Sequence, residues 1–231
     1  MKWTPLIITI TCDPAIQDPL NPRREELTTV DAIAREYIDA NAAGATMDHI
    51  HGIYSRDPVI QPDGRQLQIP DIDGTAGIID KIREEYPSHP IQQGLASIRP
   101  EQKLQLWERI KPDMSSLNMG SHDEYFDPYP RLEKPIPCYS VHPINELRQY
   151  VQWSKEHGVK PELECFDTGV FDAIRIIREG VFWTDEDIME EEPDLLDDPL
   201  WLTFFFGWPG QSCQPMTDIS MFNLIYHLPD N

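Results

Sequence analysis

The sequence predicts an α/β fold in which parallel strands alternate with helices, arranged either as a doubly wound sheet or as a (β/α)8 barrel. Three observations predict it. Compact apolar runs rich in β-branched residues alternate six times with stretches of helical periodicity. Each strand is followed by a helix, the connection that parallel pairing with a right-handed crossover requires. Polar residues of chemical interest fall at the carboxyl ends of the runs, where both architectures collect ligands.

The elements follow in order. Leu6, Ile7, Ile8 and Ile10 make a continuous apolar run that ends at Asp13 and Pro14 and suits a first strand buried on both faces. After a loop holding Pro14, Pro19 and Pro22, Val30, Ile33, Ala34, Tyr37 and Ile38 recur at helical spacing until Gly44. The second strand, 45–51, carries His49 and His51. A polar loop at 54–73 precedes a helix at 76–86 with Ile78, Ile79 and Ile82, then a third strand at 90–96. Pro100 opens the next helix, where its missing N–H would have had no partner. The fourth strand is 114–119, and a loop with Pro128, Pro130, Pro135 and Pro137 separates it from a helix at 144–157 closed by Gly158 and Pro161. Strand five at 163–166 and a helix at 170–178 follow. Nine of the fourteen residues at 185–198 are acidic, which predicts a solvated loop. The strongest apolar run, 200–207, makes strand six, with a sixth helix at 219–227.

A chain of 231 residues is long enough for one domain with a full core, so a single domain over 1–231 is expected. The formal charge of −21, from 40 acids against 19 bases, argues against nucleic acid or an anionic membrane as partner. No window approaches the about 18 consecutive apolar residues of a membrane span. Cys12, Cys138, Cys165 and Cys213 are scattered without metal or redox spacing, and no signal peptide is evident, so a reducing cytoplasm is expected.

His49 and His51 lie two residues apart in a strand, so they share a face and are able to present two imidazoles to one metal ion. The bland alternative is one core histidine and one at the surface, since two ligands do not complete a zinc site. Their place at the carboxyl end of strand two favours the metal pair. Glu162 and Glu164 likewise share a face of strand five, either aimed at the ligand end or paired with a structural base. Cys165 reads as core, because no histidine adjoins it. His122 and Asp123 read as a solvated loop, and Trp201, Phe204, Phe205 and Phe206 as packing.

Three ordered blocks carry a family resemblance. They are 44–51 with Gly44, Ala45, His49 and His51; 111–120 with Lys111, Pro112, Ser116, Asn118 and Gly120; and 159–169 with Lys160, Pro161, Glu162, Glu164, Phe166 and Asp167. Together with a looser block at 205–210, they resemble the β-keto acid cleavage enzymes. The resemblance implies a TIM barrel that binds zinc or a similar divalent ion and condenses a β-keto acid with acetyl-CoA, giving acetoacetate and a new acyl-CoA. It implies His49 and His51 as metal ligands and Ser116 and Asn118 as substrate contacts. Gly94 and Ser97 stand in the small-residue turn after strand three and would touch substrate there. Glu164 is the acid aimed at the barrel mouth, and Asp13 is the displaced substitute for an acid after strand one.

The family's third metal ligand belongs to a Gly-x-Glu-Asp segment at strand eight, which has no counterpart in these residues. A barrel shortened after about six units is therefore expected, with open edges at strands one and six and homo-oligomerisation to help cover them. The rival expectation is a barrel remnant that binds a ligand or partner without turnover.

Overall fold

The structure, a computed structural model, describes residues 6–12, 26–54, 59–60, 66–67, 69–94, 98–126, 136–183, 189–191, 194–207 and 212–228. Its contacts divide the chain into two compact units, the first comprising residues 1–59, 67–114 and 128–132 and the second 60–66, 115–127 and 133–231. Each unit is built from strands alternating with helices, and the six β/α units expected from the sequence are all present.

The first unit contains β1 (Thr9–Thr11), α1 (Val30–Ala42), β2 (Met47–Ile50), α2 (Ile72–Glu85), β3 (Ile91–Gln93) and α3 (Pro100–Ile110). The strands are parallel, with β2 between β1 and β3, and the register sets His49 opposite Thr11 on one side and Gln92 on the other. The helix starts are chemically marked. Thr29 caps α1 by accepting from the Ala32 N–H at 3.2 Å, and Asp71 caps α2 by accepting from the Gly74 N–H at 2.9 Å. Helix α3 ends without a glycine: Lys111 takes the left-handed conformation at φ 49°. Arg83 of α2 donates to the Ile110 and Lys111 carbonyls at 2.6 Å each, satisfying acceptors that a helix end leaves unpaired.

The apolar stripes of these helices meet in a dry interior of Ile33, Tyr37, Ile78, Ile79, Ile82, Ile91, Leu106 and Trp107, all 2% exposed or less. Each such side chain contributes roughly 1.5–3 kcal/mol by leaving water. Tyr37 also carries a polar end. Its hydroxyl accepts from the Cys12 N–H at 3.0 Å and reaches the His49 carbonyl at 2.9 Å, so α1 holds the backbone of β2 at the histidine.

The second unit contains β4 (Met114–Asn118, from Ser115 on), α4 (Ile144–His157), β5 (Lys160–Cys165), α5 (Val170–Glu179), β6 (Trp201–Phe204) and α6 (Asp218–Tyr226). Strand β5 lies between β4 and β6 and runs parallel to β6, with Glu164 opposite Thr203. Gly158 closes α4 in the left-handed region at φ 68°, a conformation a side chain would strain. Among the described residues no helix is long and apolar enough to cross a membrane.

Three expectations need correction. The first strand is not buried on both faces: Leu6, Ile7 and Ile8 are 79%, 52% and 50% exposed. Among the described residues its strand stands last in the order, with β2 as its neighbour, so apolar content alone did not secure burial. The four-proline region is not a plain loop, because His122–Phe126 pairs antiparallel with Ile136–Ser140. The acidic region is not loop throughout either, although its described acids Asp194, Asp197 and Asp198 are exposed as expected and 185–188 and 192–193 lie outside the described residues. Val181–Trp183 pairs with Met189–Glu191, Leu195 and Leu196 are buried, and Asp194 and Asp198 flank Arg178 of α5 at 3.6 and 2.6 Å. Leu195 and Leu196 turn inward, while the exposed carboxylates of Asp197 and Asp198 meet Lys155 of the fourth helix and Arg178 of the fifth.

Candidate active site

The histidine pair of the first unit sits where the sequence places it, at the carboxyl end of β2. The rings of His49 and His51 lie 5.0 Å apart between centroids at 68°, both half-buried. Alternation of the strand brings them to one side, and the neighbouring strand supplies the rest. Gln92, opposite His49 in β3, places its Oε1 2.7 Å from His49 Nδ1. An amide oxygen accepts only, so Nδ1 carries the proton, and in the neutral ring Nε2 then carries the lone pair. That tautomer is the one a metal ligand needs, and an oriented partner on the second nitrogen is the usual companion of a metal-binding histidine.

Gly94 shapes the other side of the ring. A Cβ at this position would lie 2.3 Å from His49 Cε1 and 2.4 Å from Nε2, so the imidazole occupies space that only glycine leaves open. The Gly94 N–H donates to the Ile50 carbonyl at 3.1 Å, and its own carbonyl accepts from Gln93 Nε2 at 2.9 Å. Gln93 Oε1 in turn accepts from Trp107 Nε1 at 2.6 Å, anchoring the turn to α3. The chemistry of His49 and its cradle therefore fits a divalent ion. Among the described residues no group of three or more His, Cys, Asp or Glu side chains converges as a metal cage.

In the second unit Ser116 of β4 donates to Glu164 Oε1 of β5 at 2.5 Å, and Thr203 of β6 donates to Glu162 Oε1 at 2.5 Å. The two glutamates share a face of β5, and each takes a hydroxyl from a different neighbouring strand. Asn118 lies two residues beyond Ser116 on the same face of β4, buried, with its Nδ2 3.4 Å from His122 Nδ1. Among the described residues its Oδ1 has no hydrogen-bond partner, which makes it an acceptor suited to a donor on a bound molecule.

His122 is the clearest departure from expectation. Rather than standing in a solvated loop, it is 8% exposed and stacks on Phe166 at 4.4 Å and 24°, with Phe166 stacking on Phe205 at 4.4 Å and 7°. A strand after Gly120 and Ser121 returns it against Asn118. Gln92 and Gln93 are the residues that motif reading passed over, although two adjacent glutamines in a short strand before a glycine were a visible sign of polar groups with work inside the fold. Cys165 is core, as expected: it is fully buried, and burial, helped by Glu164 and Asp167, pushes its thiol up to about 12, which makes it a poor nucleophile. Asp13 and Ser97 lie outside the described residues.

A model of the beta-keto acid cleavage enzyme family matches residues 8–230. Two curated relatives, both named 3-keto-5-aminohexanoate cleavage enzyme, come from Fusobacterium nucleatum subsp. nucleatum and Acetoanaerobium sticklandii. They are 32% and 31% identical over 160 residues, which is 66% of this chain and 50% of each relative. The chain thus spans about half the length of the curated relatives it matches. Among solved structures, apo ObcA is similar over 71% of this chain and 39% of its own, at 15% identity and a TM-score of 0.42. Since the family model runs through the histidine pair, the serine and asparagine of β4 and the glutamates of β5 without leaving the chain, this protein belongs to the beta-keto acid cleavage enzyme family.

Proposed function

We propose that the protein is a metal-dependent enzyme that condenses a β-keto acid with acetyl-CoA and releases acetoacetate and a new acyl-CoA. The observation that supports the metal part is the contact of Gln92 with His49 Nδ1, an oriented partner of the kind a metal-binding histidine has on its second nitrogen. Family membership supports the reaction class, and the relatives' shared name specifies cleavage of a keto acid. His49 and His51 hold the ion, zinc being the choice of a nitrogen donor set. Bound there, zinc supplies Lewis-acid polarisation of the keto acid's oxygens.

The remaining work falls to the chain's own side chains. Gln92 keeps the proton on His49 Nδ1, and Gly94 leaves room for the ring. Glu164 serves as the carboxylate that takes a proton from the substrate, held in place by the Ser116 hydroxyl. Asn118 offers its Oδ1 and amide protons to the keto acid or the thioester. Asp13 and Ser97 are assigned by their places in the sequence, as the second acid and a substrate contact. A homo-oligomer in the cytoplasm is the working form in this reading.

The test compares zinc content and acetoacetate release in the wild type and a His49→Ala, His51→Ala double variant, using acetyl-CoA with a panel of β-keto acids. Stoichiometric zinc and acetoacetate in the wild type, both lost in the double variant, are expected. Equal zinc in the two proteins would refute the metal assignment. Zinc binding with no acetoacetate from any keto acid would instead make the barrel a ligand-binding remnant.

A further inference from the structure

The two histidines are held in different ways. His49 stands inside β2, paired with Thr11 on one side and Gln92 on the other. His51 lies one residue past Ile50, where β2 and its pairing end. Its place therefore depends on what fixes the chain before and after it. Before it, the Ile50 carbonyl accepts from the Gly94 N–H at 3.1 Å. After it, the chain turns at Gly52 and meets α2.

That meeting is made by Thr75, a fully buried residue in the first turn of α2. Its Oγ1 accepts from the Ile53 N–H at 2.9 Å, and its hydroxyl donates to the Ile53 carbonyl at 3.4 Å, so one side chain grips both polar groups of a single residue. Gly52 packs on the same side chain. A Cβ at this position would lie 2.6 Å from Thr75 Cγ2 and 3.0 Å from Thr75 Cβ, and Gly52 takes a φ of +89°, which side chains rarely adopt. Ile53 and Tyr54 then pair antiparallel with Asp71 and Pro70 at the start of the helix.

We infer that Thr75 is a positioning residue for His51: by fastening Gly52 and Ile53 to α2 it fixes where the second imidazole stands beside the first. Threonine suits the task, because its hydroxyl both gives and takes a hydrogen bond while its methyl closes against the glycine. A pair of ligands binds an ion well only when both rings are held before the ion arrives. The zinc arm of the test rests on the proposed metal role, and the ring arm does not.

Thr75→Val keeps the shape and removes the hydroxyl, and Thr75→Ser restores it. In the metal-free protein, nuclear magnetic resonance of the histidine rings is expected to show the His51 signal of Thr75→Val shifted and broadened more than that of His49, with Thr75→Ser returning it to its wild-type position. Gly52→Ala, which presses a methyl onto the same side chain, should move the His51 signal too. By chelator competition Thr75→Val should bind zinc about 10-fold more weakly than the wild type, and Thr75→Ser close to it. Ile82→Val, a buried change about two turns further along α2, should leave ring signals and zinc affinity unchanged. A His51 signal that stays in place in Thr75→Val or Gly52→Ala would overturn the inference, as would an equal movement in Ile82→Val. Wild-type protein that binds no zinc would refute the metal role, while the ring signals would still confirm or overturn the place of Thr75.

Discussion

Replacing Gly94 by alanine isolates the geometry around His49. The added methyl would sit 2.3 Å from Cε1 and 2.4 Å from Nε2 of the ring, more than an ångström inside ordinary contact. Gly94 lies outside the positive-φ glycines, so the backbone accepts alanine and the cost comes from the ring. The imidazole must move by about 1 Å, while the Gln92 contact at 2.7 Å has little room to follow. Forcing an extra methyl into packed surroundings costs about 1–3 kcal/mol of stability. Loss of the oriented partner weakens metal binding by about 10–100-fold, or about 1.4–2.8 kcal/mol. Zinc affinity measured against a competing chelator, alongside urea denaturation, reads both effects. Gly44→Ala is the control, because nothing lies within 4 Å of its Cβ although its φ is +111°. It should lose stability and keep zinc affinity. If Gly94→Ala binds zinc as tightly as the wild type at unchanged stability, the cradle described for His49 is wrong.

Gln92→Leu should weaken zinc by about 10–100-fold with little loss of stability, read by the same chelator competition. Trp107→Phe removes the N–H that Gln93 Oε1 accepts and should cost about 1–3 kcal/mol in denaturant unfolding, since it leaves a buried acceptor unpaired. Cys165, with its thiol at about 12, should resist a thiol reagent at pH 8 in the native protein and react once urea unfolds it. Burial is the main cause that raises the Asp48 carboxyl, so the folded state binds this proton more tightly than the unfolded one. Its contribution is therefore present below the unfolded value near 3.8 and is lost as pH rises towards the folded value. Asp48→Asn should flatten that fall when stability is followed by denaturant titration between pH 3 and 7.

The sequence was most legible where a period recurs. The helices over Ile78, Ile79 and Ile82 and over Leu147, Tyr150 and Val151 are amphipathic and capped, and both the strand order and the place of His49 follow from serial alternation. Short-range pattern said less about partners across strands. Gln92 and Thr203 gain their roles from strand pairing, which brings Gln92 beside His49 and Thr203 within reach of Glu162 from far along the chain. Burial of Leu6, Ile7 and Ile8 was misjudged for the same reason, since neighbours rather than composition decide exposure. His122 was hidden by its flanking glycine and serine, which look like a loop until the returning strand presses the ring onto Phe166.

The two glutamates of β5 also bear on how reliably the second unit assembles. A strand with like residues at alternate positions invites a slip of two places, which preserves which side chains face inward. Here the hydroxyls sit on opposite flanks, Ser116 reading Glu164 and Thr203 reading Glu162. A two-residue slip that still satisfied one hydroxyl would leave the other facing no carboxylate. The pair thus acts as a two-sided key for strand alignment, and folding fidelity in β5 depends on the same oxygens that the proposed chemistry employs.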